Sequence, residues 1–213
     1  MHLIPESLRR GHAGLTQRFP KQDAWGNAGP APIYGSMNPG STRLLVDALA
    51  FAAYKHRRQR RKDPEASPYI NHPIALAHVL SSEAGISNAK VLAAAILHDT
   101  IEDTETTYEE LRERFGKTIA GVVREVSDDK TLSKADRKRL QIEHAEHLSR
   151  RARLVKLADK ISNVRDIAAN PPHDWPLQRR REYFDWAKAV VDRIRGTNKR
   201  LERAFDEAYS GRP

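Results

Sequence analysis

The chain has 213 residues, 39% of them hydrophobic and 31% charged, with no cysteine and a formal charge of +9. That length supports a buried core without covalent staples, and the missing thiols exclude disulfides and cysteine-ligated metal sites. No apolar run approaches the ~20 residues of a membrane span, and the N-terminus lacks the apolar stretch of a secretory signal, so a cytoplasmic protein is expected. The excess positive charge calls for an anionic partner such as nucleic acid, an anionic surface or a polyphosphate metabolite. Much of it lies in His56-Arg57-Arg58-Gln59-Arg60-Arg61-Lys62 and in Arg137-Lys138-Arg139. Solvated helix faces are the ordinary use of such runs.

Residues 1–40 carry Pro20, Pro30, Pro32 and Pro39, several glycines and no sustained helical period. They are read as a weakly ordered extension preceding one domain over residues 41–213, with Met37 as an alternative start. From Ser41 onward the pattern is helical, and strand-like alternation is absent. Leu44, Leu45, Ala48, Leu49, Phe51 and Ala52 mark an amphipathic helix that runs into the basic cluster and breaks at Asp63-Pro64. Ser67-Pro68 and His72-Pro73 punctuate a loop before a helix expected from Ile74 to Ala84, closed by Gly85. Ser87 or Asn88 caps the helix carrying Val91 to His98. Thr107-x-x-Glu110 is a capping box opening a short helix that ends near Gly116. Thr118–Val126, Ser133–His147 and Ala152–Ile167 continue the helical pattern. Leu177–Tyr209 reads as one long helix or two, interrupted near Gly196.

The chemistry concentrates in His98-Asp99-Thr100-Ile101-Glu102-Asp103. The run Val91–Leu97 is apolar nearly all round and predicts a buried helix. Two polar side chains at its end are costly unless something satisfies them. A divalent metal satisfies both, and His72 and Asp159 complete a set of imidazoles and carboxylates that leaves coordination positions open for water and substrate. Glu102 and Asp103 fall one turn beyond His98 and Asp99, which adds two carboxylates not needed as ligands. Asp159 and Asn163, at i and i+4, share one helix face. Taken singly each residue has an ordinary role: His72 as a loop histidine, His98 as a core histidine, Asp159 as a partner of Lys156 or Lys160. Together they predict metal-assisted hydrolysis of a phosphorus ester. A carboxylate handles the water, and Lys and Arg neutralise phosphate oxygens.

These residues carry a family resemblance. The order His72, His98-Asp99, Asp159 resembles the metal signature of HD-superfamily phosphohydrolases. The stretches Ser67–Pro73, Leu97–Asp103, Asp128–Leu132 and Val155–Arg165 resemble the hydrolase domain of the RelA/SpoT alarmone enzymes. The likeness is greatest to their stand-alone small hydrolases, including the metazoan SpoT-like form. It spans about Ala48 to Ala208. It implies an all-α, single-domain helical bundle with a buried metal site, one Mn²⁺ per site, and removal of the 3′-pyrophosphate of ppGpp and pppGpp. It further implies His72, His98, Asp99 and Asp159 as ligands, Glu102 and Asp103 as the water-handling pair, and Asn163 near substrate. Arg61 and Lys62 match a basic pair near the nucleotide. Tyr69, Lys130, Lys134, Arg139 and Tyr183 are further candidates for substrate contact, with packing an equal role for Tyr183. No synthetase region follows, so synthesis is not expected.

The expected partner is thus a small-molecule nucleotide, with no membrane and no stable nucleic-acid complex; a homo-oligomer is left open. A phosphatase acting on another nucleotide, such as the 2′-phosphate of NADPH, fits the same residues. A non-catalytic basic nucleic-acid-binding module is the contrasting class, and the surplus carboxylates Glu102 and Asp103 argue against it.

Overall fold

The computed structural model describes residues 40–213. The N-terminal extension expected over residues 1–40 therefore lies, apart from Gly40, outside the described residues. The described residues fold as α-helices: α1 (Ser41–Lys55), α2 (Asn71–His78), α3 (Ala89–Leu97), the single turn α4 (Thr100–Asp103), α5 (Tyr108–Val126), α6 (Lys134–His144), α7 (Arg150–Ala169), α8 (Leu177–Asp192) and α9 (Lys199–Ser210). A π turn (Val79–Glu83) extends α2, and a 3₁₀ turn (Ala145–His147) extends α6.

Two helices form the centre. In α3 every residue from Val91 to Leu97 is buried, as its uninterrupted apolar run requires. Its first turn is capped by Asn88, whose side-chain oxygen accepts from the backbone N–H of Lys90 and Val91. In α7, Leu154–Ala158 and Lys160–Ser162 are buried, because α2, α3, α5, α8 and α9 all pack against it. Enclosed on this many sides, the middle of the helix leaves Lys156 and Lys160 no solvent-facing position. Both lysines are consequently 7% and 2% exposed.

Several boundaries differ from the sequence reading. The first helix stops at Lys55, before the basic run, and does not continue to Asp63-Pro64. Residues 59–69 instead fold back on themselves. Tyr69 N–H donates to Gln59 O and Arg61 N–H to Ser67 O, and Asp63 accepts from the Glu65 and Ser67 amides. The side-chain cap on Asp63 replaces helical hydrogen bonds that Pro64 cannot continue. His72-Pro73 belongs to the first turn of α2 and not to a loop, since the opening turn has no intrahelical partner for a proline N–H. Gly85 closes this segment at φ +69°.

Thr107 caps α5 as expected, accepting from Glu110 N–H at 3.1 Å. The Glu110 carboxylate pairs with Lys55 at 2.8 Å, which ties α5 to α1. Gly116, at φ +84° and ψ 160°, kinks α5 at the expected end, and the helix resumes through Val126. The C-terminal region is two helices separated at Gly196, φ +85°.

Candidate metal-dependent active site

The C-terminal end of α3, the first turn of α2 and the middle of α7 meet at one point. His72 Nε2 lies 3.4 Å from Asp159 Oδ1 and 4.0 Å from Asp99 Oδ2. His98 Nε2 lies 2.9 Å from Asp99 Oδ2 and 3.9 Å from Asp159 Oδ1. Ligand atoms of His72, His98 and Asp159 all fall within 4.8 Å of one another.

The hydrogen bonding of His98 tests whether a cation fits. Its Nδ1 is 2.8 Å from Ala95 O, a group that only accepts, so Nδ1 carries the hydrogen. Nε2 is then the ring nitrogen left to face the site, and it is buried with no hydrogen-bond partner among the described residues. Standing 2.9 Å from the Asp99 carboxylate, it needs a shared proton or metal cation between them. A divalent metal answers that need, and the imidazole and carboxylate donors suit a hard-to-borderline ion. Burial works against charge on His98, but Asp99 outweighs it and holds the imidazole above its ordinary pKa. At His72 burial prevails and the pKa falls. Burial also opposes ionisation of Asp99 and Asp159, yet His98 beside Asp99 and Lys160 and His72 beside Asp159 hold both well below the usual carboxylate range.

Neighbouring groups orient these four. Tyr69 donates its hydroxyl to Asp99 Oδ2. Its phenol stays protonated, because burial and the Asp99 charge push its pKa far up. Asn163 Nδ2 donates to Asp159 Oδ1 at 2.6 Å, and Lys160 Nζ to Oδ2 at 3.0 Å. Of the two lysines offered by the sequence for Asp159, Lys160 is thus the partner. Lys156 instead donates to Val126 O at 2.9 Å.

Glu102 and Asp103, on α4, sit on the same cavity wall as the four. Glu102 Oε2 accepts from Asp128 N–H at 3.0 Å, and burial raises its pKa above the ordinary value. Lys130 Nζ bridges Glu102 at 3.2 Å and Asp103 at 2.7 Å. Together these groups line a cavity of about 200 Å³. It opens into a larger cleft of about 750 Å³, and Arg61, Tyr69, His72, Asp103, Lys130 and Asn163 line both.

Lys62 and Tyr183 line the larger cleft. Tyr183 also packs between Trp175 and Trp186, with ring centroids 5.8 and 5.2 Å away, so it both packs and faces the cleft. Lys134 lies close enough to Arg179, Lys62 and Arg137 that burial and their repulsion depress its pKa. Arg139 is not brought into either cavity. Lys134, Lys138 and Gln141 share one face of α6, and Arg139, off that face, pairs on its own helix with Glu143 at 2.8 Å and Asp136 at 3.4 Å. The sequence reading missed Gln59, Gln141 and Asp166. Asp166 holds Arg61 at 2.6 Å, and its position one turn beyond Asn163 and Ser162 was the available signal.

Residues 48–185 match the family model described as HD domain. The chain belongs to the HD-domain family. Within it, the chain is 53% identical over 173 residues to the zebrafish (Danio rerio) guanosine-3′,5′-bis(diphosphate) 3′-pyrophosphohydrolase MESH1, which covers 81% of this chain and 96% of that relative. The human (Homo sapiens) MESH1 is 54% identical, over 79% of this chain and 94% of its own. A solved structure, described as a metazoan ortholog of SpoT that hydrolyzes ppGpp and plays a role in starvation responses, superposes with TM-score 0.77 at 51% identity. It covers 79% of this chain and 95% of that one. The HD-domain fold and the capacity for a divalent metal follow from sequence, geometry and likeness together. No described helix is long and apolar enough to cross a membrane.

Proposed function

We propose that this protein is a Mn²⁺-dependent hydrolase of guanosine alarmones, converting ppGpp or pppGpp and water to GDP or GTP and pyrophosphate, in the cytoplasm. The carrying observation is the continuity of the His72–His98–Asp99–Asp159 cavity with the larger cleft lined by Arg61 and Lys62, which matches a substrate with a reacting diphosphate and a bulky nucleoside. The MESH1 relatives supply the named reaction.

In this reading His72, His98, Asp99 and Asp159 hold the metal, which supplies Lewis-acid polarisation and a lowered pKa for water. Glu102 and Asp103 orient the attacking water and take its proton. The water oxygen joins the phosphorus bonded to O3′, the P–O3′ bond breaks, and O3′ leaves with a proton. Lys130 is about half exposed and can leave Glu102 and Asp103 for a phosphate oxygen. Arg61 faces the larger cleft while Asp166 and Asn163 hold its guanidinium. Lys62 and Lys134 add charge for the other phosphates, and Tyr69 and Tyr183 offer ring faces toward the base or ribose.

The test is turnover of ppGpp, pppGpp and NADPH with Mn²⁺, with Asp99→Ala as control. Pyrophosphate release from ppGpp that disappears in the variant is expected. No release from ppGpp alongside rapid phosphate release from NADPH would overturn the reading.

A further inference from the structure

His56 is a histidine that the reaction described above does not use. It is 2% exposed, at the C-terminal end of α1, and its ring stacks on Tyr69 with centroids 4.8 Å apart and planes 30° apart. Its Nδ1 lies 2.6 Å from Gln59 Oε1. The other end of the same amide donates from Nε2 to Asp103 Oδ2 at 3.0 Å.

The polarity of this chain follows from the groups themselves. An ionised Asp103 only accepts, so Gln59 must turn its NH₂ toward it and its oxygen toward His56. The oxygen needs a donor, so His56 carries its hydrogen on Nδ1. Nε2 is the remaining ring nitrogen, buried with no hydrogen-bond partner among the described residues. A flipped amide would set its oxygen against the Asp103 carboxylate. The backbone of Gln59 is pinned on both sides, donating to His56 O at 2.9 Å and accepting from Tyr69 N–H at 3.2 Å.

Asp103 has one donor on each oxygen: Lys130 on Oδ1 at 2.7 Å and Gln59 on Oδ2 at 3.0 Å. Lys130 is half exposed on a long stem, whereas Gln59 is fixed to a folded loop and a buried ring. If Lys130 moves to substrate, Gln59 alone keeps the carboxylate aimed.

We infer that His56 and Gln59 are positioning residues, with buried His56 fixing the amide orientation of Gln59 and Gln59 fixing Asp103 for the hydrolytic step. This rests on the assignment of Asp103 to the water-handling pair. His56 lines neither cavity, so its loss acts on kcat and leaves KM near its original value, whereas Gln59 also lines the larger cleft.

The experiment compares Gln59→Leu, His56→Phe, His56→Asn and Asp103→Asn in steady-state alarmone hydrolysis, with thermal melts of each. Gln59→Leu and His56→Phe are expected to lower kcat by roughly 10- to 100-fold, and His56→Phe to do so with KM within about twofold. A variant carrying both His56→Phe and Gln59→Leu is expected to be no worse than Gln59→Leu, since both substitutions break one chain. The deciding comparison is at position 56. Phe keeps the stacked ring and loses the donor, whereas Asn loses the ring and keeps an N–H at the Nδ1 position. A relay requires Asn to retain more kcat than Phe, and a packing role requires the reverse. If His56→Phe does not fold, Gln59→Leu decides, and full kcat there overturns the inference. Full activity in Asp103→Asn sinks the underlying assignment. An inactive Asp103→Asn beside an unaffected Gln59→Leu sinks only the relay.

Discussion

Lys160→Met is the substitution whose magnitude the structure sets most directly. The ammonium sits 3.0 Å from Asp159 Oδ2 and 4.1 Å from the centre of the Trp186 ring, and is 2% exposed. At 3.0 Å and an effective dielectric of about 20 the attraction to Asp159 is roughly 5–6 kcal/mol. Desolvation of both ions offsets part of that, so the net loss on truncation is set by the carboxylate left behind, about 3 kcal/mol. Methionine keeps the volume and the contact with the indole. In a domain of this size ~3 kcal/mol lowers Tm by roughly 6–12 °C. The assay is thermal unfolding in chelator and again in saturating Mn²⁺. A metal at the site compensates the stranded Asp159, so the drop is expected to be smaller with Mn²⁺ than with chelator. A drop below ~2 °C in chelator, or an equal drop in both conditions, would refute the account.

Gly116→Ala places a side chain at φ +84°, where only backbone strain opposes it because no atom lies within 4 Å of the added Cβ; a loss of about 1–3 kcal/mol in chemical denaturation is expected, with kcat unchanged. Lys130→Ala removes a half-exposed cation bridging Glu102 and Asp103; its Tm is expected to move by less than ~2 °C while kcat falls by at least roughly 10-fold, measured by pyrophosphate release. Glu83 is held below its ordinary pKa, first by its hydrogen bond to Arg165. A depressed carboxyl stabilises the fold above the ordinary Glu pKa and loses that contribution as pH falls through the folded value. The pair is about a third exposed, so Glu83→Gln is expected to cost under ~1 kcal/mol at pH 7 and progressively less as pH falls below the ordinary Glu pKa, as read by a pH series of urea melts. Thr107→Ala removes the side-chain acceptor at 3.1 Å from Glu110 N–H and is expected to cost about 1 kcal/mol in the same melts.

The site was legible because its residues are chemically expensive where they stand. A His-Asp pair ending a run as apolar as Val91–Leu97, and an Asp-x-x-x-Asn spacing in α7, together marked a candidate cation site. Local signals were equally readable where they act within a few residues, as with the Asn88 and Thr107 caps and the glycine breaks at 85, 116 and 196. The α1 boundary was misread because apolar periodicity does not report where a helix yields to a side-chain-capped loop. Asp63, which caps the Ser67 amide four positions on, and the Tyr69–Gln59 backbone bond, which joins residues ten positions apart, decided that.

By itself the amino-acid sequence determined the helical class and named the candidate donors and the surplus carboxylates, since these follow from residue type and spacing along one chain. Only the tertiary structure decided that Lys160 and not Lys156 neutralises Asp159, that Arg139 stays on its own helix face, and that Gln59 reaches Asp103 across 44 positions of sequence. The reason is physical: helix periodicity is a local property, whereas a buried charge or amide takes whichever partner the packing of α1, α3, α4 and α7 brings within about 3 Å.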